Sequence, residues 1–402
     1  MTQITKSEAA VLERIEQQPM LDRTMTWAKI NSGTANLEGL AAMAQQLGDA
    51  FAELPGEVEL VKPDPVETMQ PDGAIQTLER GKHLVATVRP DAPVQLLFTG
   101  HMDTVFPVDS GFQELSWRED NILNGPGVAD MKGGIAVMLH ALMALEGSDA
   151  KDQIGYQVMI NSDEEVGSGS SAALIKRLAQ GKTAALTYEP ALPDGTLAGA
   201  RGGSGNYSIK IGGRSAHAGR NPEDGRNAVV AAADLALRLK ALMRDGLSVN
   251  PAKIDGGGAN NVVPDHAILR VNFRPRDPRD QRQAEEALER ACAAIAMEHD
   301  VSVHPHGGFG RPPKPLSEGA EKLFGLVKRS GADLGLDIGW RTTGGVCDGN
   351  NIADCGIPVV DTMGVRGDAI HSADEILIVD SLAERARLSA LTILRLAEKG
   401  LA

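Results

Sequence analysis

Ile160-Asn161-Ser162-Asp163-Glu164-Glu165-Val166-Gly167-Ser168-Gly169 is the stretch on which the reading of this 402-residue chain turns. Three consecutive carboxylates come directly after an apolar run over 156–160, and small residues follow them. Acids at the end of a buried strand are costly, because each desolvated charge needs a partner. A metal ion would partner two of them, and a proton-transfer role would be a reason to keep another. A solvated acidic turn is the plainer reading, and the stretch taken alone favours it. The flanking sequence decides between the two.

Upstream, Val94-Gln95-Leu96-Leu97-Phe98-Thr99-Gly100 reads as a buried strand that runs straight into His101-Met102-Asp103-Thr104. The glycine-rich Gly125-Pro126-Gly127-Val128-Ala129-Asp130 leads into a helix over 131–146, with Ile135, Met138, Leu139 and Leu142 on one face. Downstream come a helix through Leu174 and Leu178 and a strand over 184–188 ending at Glu189-Pro190. Strands alternating with helices predict an α/β fold, a mostly parallel sheet with helices on both faces. Residues 6–54 read as helical, with Leu40, Ala44, Leu47, Phe51 and Leu54 at helical spacing, and 55–90 as strands and turns.

Near residue 200 the pattern changes. Arg201-Gly202-Gly203-Ser204-Gly205 reads as a flexible joint, followed by strand (206–212), helix (225–244), strands (251–256 and 266–274), helix (278–299) and strand (301–306). This βαββαβ order is that of a ferredoxin-like α+β unit. Gly307-Gly308 and Pro312-Pro313-Lys314-Pro315 read as an exit hinge. Helix (317–330), strand (357–363) and helix (378–399) then resume the first pattern. The expected organisation is a catalytic domain in two parts, 1–200 and 310–402, with an inserted lid or dimerisation domain at 201–309. A chain of this length exceeds the usual single core.

The net charge of −14 and an aromatic content of 3% argue against nucleic acid as a partner. Cys292, Cys347 and Cys355 are too few and too scattered for a disulfide framework or a CxxC zinc site. The N-terminus opens on polar and acidic residues without the apolar core of a signal peptide, and no apolar run was expected to approach the ~18 residues of a membrane span. The expected location is cytoplasmic, with free thiols and no membrane partner.

Candidate ligands fall at the ends of the expected strands: His101 and Asp103, then Glu164 and Glu165, then Glu189, with Asp130 before a helix and His371 on the loop after 357–363. In an open parallel sheet, sites form at the carboxyl ends of strands. Two histidines with several carboxylates suit zinc, cobalt or manganese better than calcium or magnesium. The number of carboxylates points to two ions sharing a bridging Asp, about 3.5–4 Å apart. Asp103, two residues after His101 in extended chain, can sit behind that ring and orient it.

His101-Met102-Asp103-Thr104-Val105, Gly127-Val128-Ala129-Asp130-Met131-Lys132-Gly133-Gly134 and Asp163-Glu164-Glu165-Val166-Gly167-Ser168 resemble the three signature segments of the aminoacylase/carboxypeptidase G family of co-catalytic di-zinc hydrolases. Its members include glutamate carboxypeptidase, acetylornithine deacetylase and succinyl-diaminopimelate desuccinylase. The resemblance spans essentially the whole chain. It implies a zinc-exopeptidase-like fold and two zinc ions, with cobalt or manganese possible. His101 and Glu189 would hold one ion, Glu165 and His371 the other, and Asp130 would bridge. Glu164 would be the general base and acid, and Asp103 would support His101. Ser215-Ala216-His217-Ala218-Gly219 resembles the lid histidine that reaches the partner subunit's active site, so a homodimer through the inserted domain is expected. Asn261 and Arg274 fall where family members bind the substrate carboxylate, and Gly345 is the third substrate-binding position. Cys347 stands where the family usually carries Ser or Thr, and reads as a packing substitution. Arg366 is either pocket lining or surface.

The implied activity is hydrolysis of an amide or peptide bond next to a free carboxylate, as in a glutamate-carboxypeptidase-like exopeptidase acting on a small peptide. An N-acyl-amino-acid deacylase is the alternative. A non-catalytic metal-binding relative would be expected to lose the base, yet Glu164 is present. Gly202-Gly203-Ser204-Gly205 and Gly256-Gly257-Gly258 give neither nucleotide-binding glycine pattern.

Overall fold

The computed structural model describes residues 4–401, so residues 1–3 of the polar opening lie outside the description. A six-stranded sheet runs in the order Glu57–Val61, His83–Val88, Ile154–Asn161, Val94–His101, Ala184–Thr187, Val359–Val360. The last four are parallel, and the first two extend one edge antiparallel. Leu96 and Phe98 of the central strand enter one apolar cluster while Leu97 enters another. The strand therefore reads as a continuous apolar run, because both faces of the sheet are covered by helices.

On one face, Gly133–Glu146 is apolar all round and packs against Ser381–Lys399. The stretch Val128–Glu146 is apolar and long enough to cross a membrane, against the sequence expectation, but its apolar window is 89% buried inside the protein. It is a core helix. Gly134 lets it approach the sheet: a Cβ there would lie 2.1 Å from the carbonyl oxygen of Tyr188. That contact brings the loop carrying Asp130 beside the strand end carrying Glu189.

The inserted unit is a four-stranded antiparallel sheet in the order Leu247–Gly256, His266–Pro275, Ser204–Gly212, Ser302–Arg311. Ala228–Lys240 and Pro278–Glu298 pack onto it around a separate core that includes Ile209, Leu235, Phe273 and Leu288. The strand–helix order is the one expected.

The connections differ from their reading as loose hinges. Arg201 ends a strand, Leu197–Arg201, that pairs in parallel with Trp340–Thr343. The two crossings are zipped together: each of Arg201 and Lys314 donates its backbone N–H to the other's carbonyl, at 2.9 Å. Gly307 and Gly308 lie inside the last strand, which continues to Arg311. The expected strand over 357–363 shrinks to Val359–Val360. A small sheet of Ser116–Glu119, Ile122–Asn124, Gly367–Asp368 and Ile376–Ile378 was not anticipated, because strands of two to four residues carry too little periodicity to detect.

Asp361, fully buried, accepts from Arg201 Nε at 2.7 Å and from Lys314 Nζ at 3.0 Å. Burial alone would raise its pKa, but the two cations outweigh it and hold the carboxyl below its ordinary value. The folded pKa is thus below the unfolded value of about 3.9. The stabilisation is complete above about pH 4 and is lost as pH falls through the folded value. Asp361→Ala strands two buried cations and is expected to cost about 3–5 kcal/mol in urea unfolding at pH 7. A midpoint unchanged at pH 7 would show that the bridge does not secure the crossings.

Candidate metal centre and active site

Four carboxylates and two imidazoles converge at the carboxyl ends of the parallel strands. His101 ends one strand, Glu165 lies in the turn after Ile154–Asn161, and Glu189 follows Ala184–Thr187. His101 Nε2 is 3.1 Å from Asp130 Oδ1 and 3.7 Å from Glu189 Oε2. His371 Nε2 is 3.3 Å from Asp130 Oδ2 and 3.2 Å from Glu165 Oε2. Asp130 thus divides its two oxygens between the histidines.

Supporting contacts fix these groups. Glu375, fully buried, accepts from the backbone N–H groups of Gly127 (3.1 Å), Ala129 and Asp130 (3.0 Å each). The Asp130–Met131 peptide is cis. His371 sits at φ +65°, in the left-handed region, on the loop leading to Glu375. In the acidic turn, Asp163 accepts from Ser170 N at 2.6 Å and from the Ser170 and Ser171 hydroxyls at 2.8 and 2.6 Å, which curls the chain and leaves Glu164 and Glu165 facing the cluster.

Asp103 does more than orient His101. Its backbone oxygen is 2.9 Å from His101 Nδ1, whereas its carboxylate stands 3.5 Å away. The carboxylate accepts from the backbone N–H groups of Glu164 (3.2 Å) and Glu165 (3.3 Å) and from Thr34 Oγ1 (2.7 Å). It ties the histidine strand to the glutamate turn.

The electrostatics are those of a cation site. Burial raises the pKa of Glu164, of Glu189 and, to about 7, of Glu165. Hydrogen bonds to Asp130 and Glu165 push His371 up to about 10. His101, despite burial, is raised by Asp103, Asp130 and Glu189. Burial works against Asp130 ionising, yet the two histidines keep its carboxyl well below the usual range. The imidazoles occupy the electrostatic place of a cation, and a set of imidazole and carboxylate donors fits a transition metal. His101, Asp130 and Glu165 offer ligating atoms within 4.8 Å of one another. His101, Glu164 and Glu189 do the same. Glu164 could therefore ligate on that side, but its Oε1 already accepts from Arg311 Nη2 at 2.7 Å.

Arg311 was missed by the sequence reading, since Gly310-Arg311-Pro312 looks like a surface hinge. It is buried, ion-paired with Asp348, and also bonded to Asn351 Oδ1 (2.8 Å) and Ser168 Oγ (2.9 Å). A cavity of about 280 Å³ opens beside the cluster, lined in part by Glu164, Glu189, Leu197, Arg201, Gly345 and Cys347. Burial pushes the Cys347 thiol up, with Sγ 3.4 Å from Asp361 Oδ2. That is the environment of a packed thiol and not of a nucleophile. Arg366 is not in the lining; it lies against Glu384 and the Pro193 carbonyl. His217, Asn261 and Arg274 are on the inserted unit, outside the lining and exposed to solvent. The first two are neighbours, with Ala218 N–H donating to Asn261 O at 2.9 Å.

A family model described as peptidase family M20/M25/M40 matches residues 97–395. The chain belongs to this family. Carboxypeptidase G2 of Pseudomonas sp. (strain RS-16) is 32% identical over 383 residues, covering 93% of this chain and 88% of that protein. Succinyl-diaminopimelate desuccinylase of Maricaulis maris is 30% identical over 308 residues, covering 69% and 75%. Among solved structures, the aminopeptidase PepT from Bacillus cereus superposes with a TM-score of 0.72 at 24% identity, over 96% of this chain and all of that one. A dinuclear metal-binding M20 peptidase from Bacillus subtilis gives 0.68 at 14% identity, over 95% and 98%. The protein is a metal-dependent hydrolase of the M20 type, on the expected α/β fold with its inserted unit.

Calorimetric titration of the metal-free protein with zinc is expected to give about two ions per chain. His371→Ala should retain one high-affinity ion, and Asp130→Ala should weaken both. Two independent full-strength sites in the Asp130 variant would rule out bridging.

Proposed function

We propose that the protein is a two-zinc exopeptidase of the glutamate-carboxypeptidase type. It would hydrolyse the amide bond of a small peptide next to a free carboxylate, with cobalt or manganese able to replace zinc. The observation that carries this reading is Asp130, whose Oδ1 faces His101 and Oδ2 faces His371, with Glu164 beside them at the cavity wall. His101 and Glu189 would hold one ion, Glu165 and His371 the other. Bound there, the metals would supply acidification of a water and polarisation of the substrate carbonyl.

Glu164 is the group that moves protons. Its carboxyl is raised by burial, with Arg311 opposing that rise, a shift that favours taking up a proton from the attacking water and passing it to the departing amine. Arg311 also fixes its orientation, through Oε1. Asp103 holds the backbone of Glu164 and Glu165 in register with His101, so base and ligands keep one geometry.

The lid residues take part through a dimer in this reading. His217 and Asn261 are exposed, and two turns apart on the helix Ala228–Lys240 the apolar Val230 and Leu237 are exposed as well. An uncovered apolar face on a helix suits a second copy. His217 would reach the partner's substrate, with Asn261 and Arg274 taking its carboxylate. A monomeric mass in solution would contradict this arrangement.

The desuccinylase relative supports the deacylase alternative. A substrate panel decides between them: dipeptides ending in Glu should be cleaved with a higher kcat/KM than N-acetyl or N-succinyl amino acids, and the reverse order would favour the deacylase. Glu164→Gln should lower kcat by about 10²–10⁴ with metal stoichiometry unchanged. Undiminished turnover would remove Glu164 from the mechanism.

A further inference from the structure

The cavity beside the cluster is lined by groups of both charges. Its acids are Asp130, Glu164, Glu165 and Glu189. The paired strands Leu197–Arg201 and Trp340–Thr343 contribute two guanidinium groups, Arg201 and Arg341, to the same lining, with Arg201 near enough to Glu189 for their charges to interact. Arg341 and Thr343 alternate along their strand, so both side chains point to one face, and both line the cavity.

The two cations differ in how they are held. Arg201 is rigid: Nε donates to Asp361 at 2.7 Å and Nη1 to the Gly345 carbonyl at 3.2 Å. Its Nη2 has no hydrogen-bond partner among the described residues, and is not among the side-chain nitrogens sealed away from solvent without a partner. With Arg201 in the cavity wall, that nitrogen is the edge left to meet a ligand. The Arg341 side chain is exposed and makes no ion pair or hydrogen bond within the described residues; its electrostatic neighbour is Asp194, whose carboxylate is already bonded to Thr196 N–H at 2.9 Å. Leu192 and Leu197 add an apolar surface to the same lining. A pinned guanidinium and a free one in the same cavity, with aliphatic surface in the same lining, match a short side chain that ends in a carboxylate.

We propose that Arg201 and Arg341 form the specificity subsite for the side-chain carboxylate of a dicarboxylic amino acid, Arg201 meeting it through Nη2 and Arg341 from the neighbouring strand. Arg341, free of structural duties, is the residue that distinguishes an acidic side chain from its neutral isostere. The assignment rests on the hydrolase reading above. It places recognition of the acidic side chain on the catalytic unit, apart from the α-carboxylate contact proposed for Asn261 and Arg274 on the inserted one.

The test compares two substrates that differ only in charge, a dipeptide ending in Glu and the same dipeptide ending in Gln, on the zinc-loaded protein. For Arg341→Ala, KM for the Glu substrate should rise about tenfold or more, as for loss of a charge-assisted hydrogen bond. Its kcat, and both constants for the Gln substrate, should stay within about twofold. Arg341→Glu should reverse the preference. If the wild type cleaves both substrates and neither variant alters their KM ratio, the subsite is wrong while the hydrolase reading stands. If the wild type cleaves neither these dipeptides nor N-acyl amino acids, the hydrolase reading falls and the subsite falls with it.

Discussion

Asp130 carries the site. A carboxylate that must face two histidines at once cannot be placed by a flexible loop, and the chain invests heavily in holding it. Three backbone N–H groups of its loop converge on Glu375, which comes from the far end of the sequence. Gly134 brings the following helix within reach of the Tyr188 carbonyl, so that Asp130 and Glu189 share one corner. An array of buried acids of this density is unfavourable without cations. The raised pKa values of Glu164, Glu165 and Glu189 express that strain.

A second constraint is how the inserted unit is attached. Both crossings bring a cation to the buried Asp361, and the last strand of the insertion ends in Arg311, which grips Glu164, Ser168 and Asp348. The insertion is therefore wired into the turn that holds the proposed base. A displacement of the last strand would pull on Glu164 through Arg311 before it reached any metal ligand.

Much of this was legible in the residues. The apolar runs ending in His101, Ile160 and Tyr188 marked the parallel strands, and the acids beyond them marked the edge where the ligands gather. The βαββαβ order of the insertion was readable because its helices are long and amphipathic. What escaped detection depends on contacts between distant residues. Arg201 and Arg311 stand among glycines and prolines that look like hinges, and only the tertiary partners Asp361 and Asp348 reveal buried ion pairs. Asp103 is expected from the sequence to support the His101 ring, and its carboxylate also spans to the backbone of Glu164 and Glu165, a contact that depends on the neighbouring strand's register. Nothing in the sequence around Glu375 signals that three amides will meet it.

The most direct measurement is anomalous diffraction from crystals of the cobalt-loaded protein. The account predicts two peaks about 3.5–4 Å apart, one against His101 and Glu189, the other against Glu165 and His371, each touching one oxygen of Asp130. A single peak, or two peaks that do not share Asp130, would contradict it.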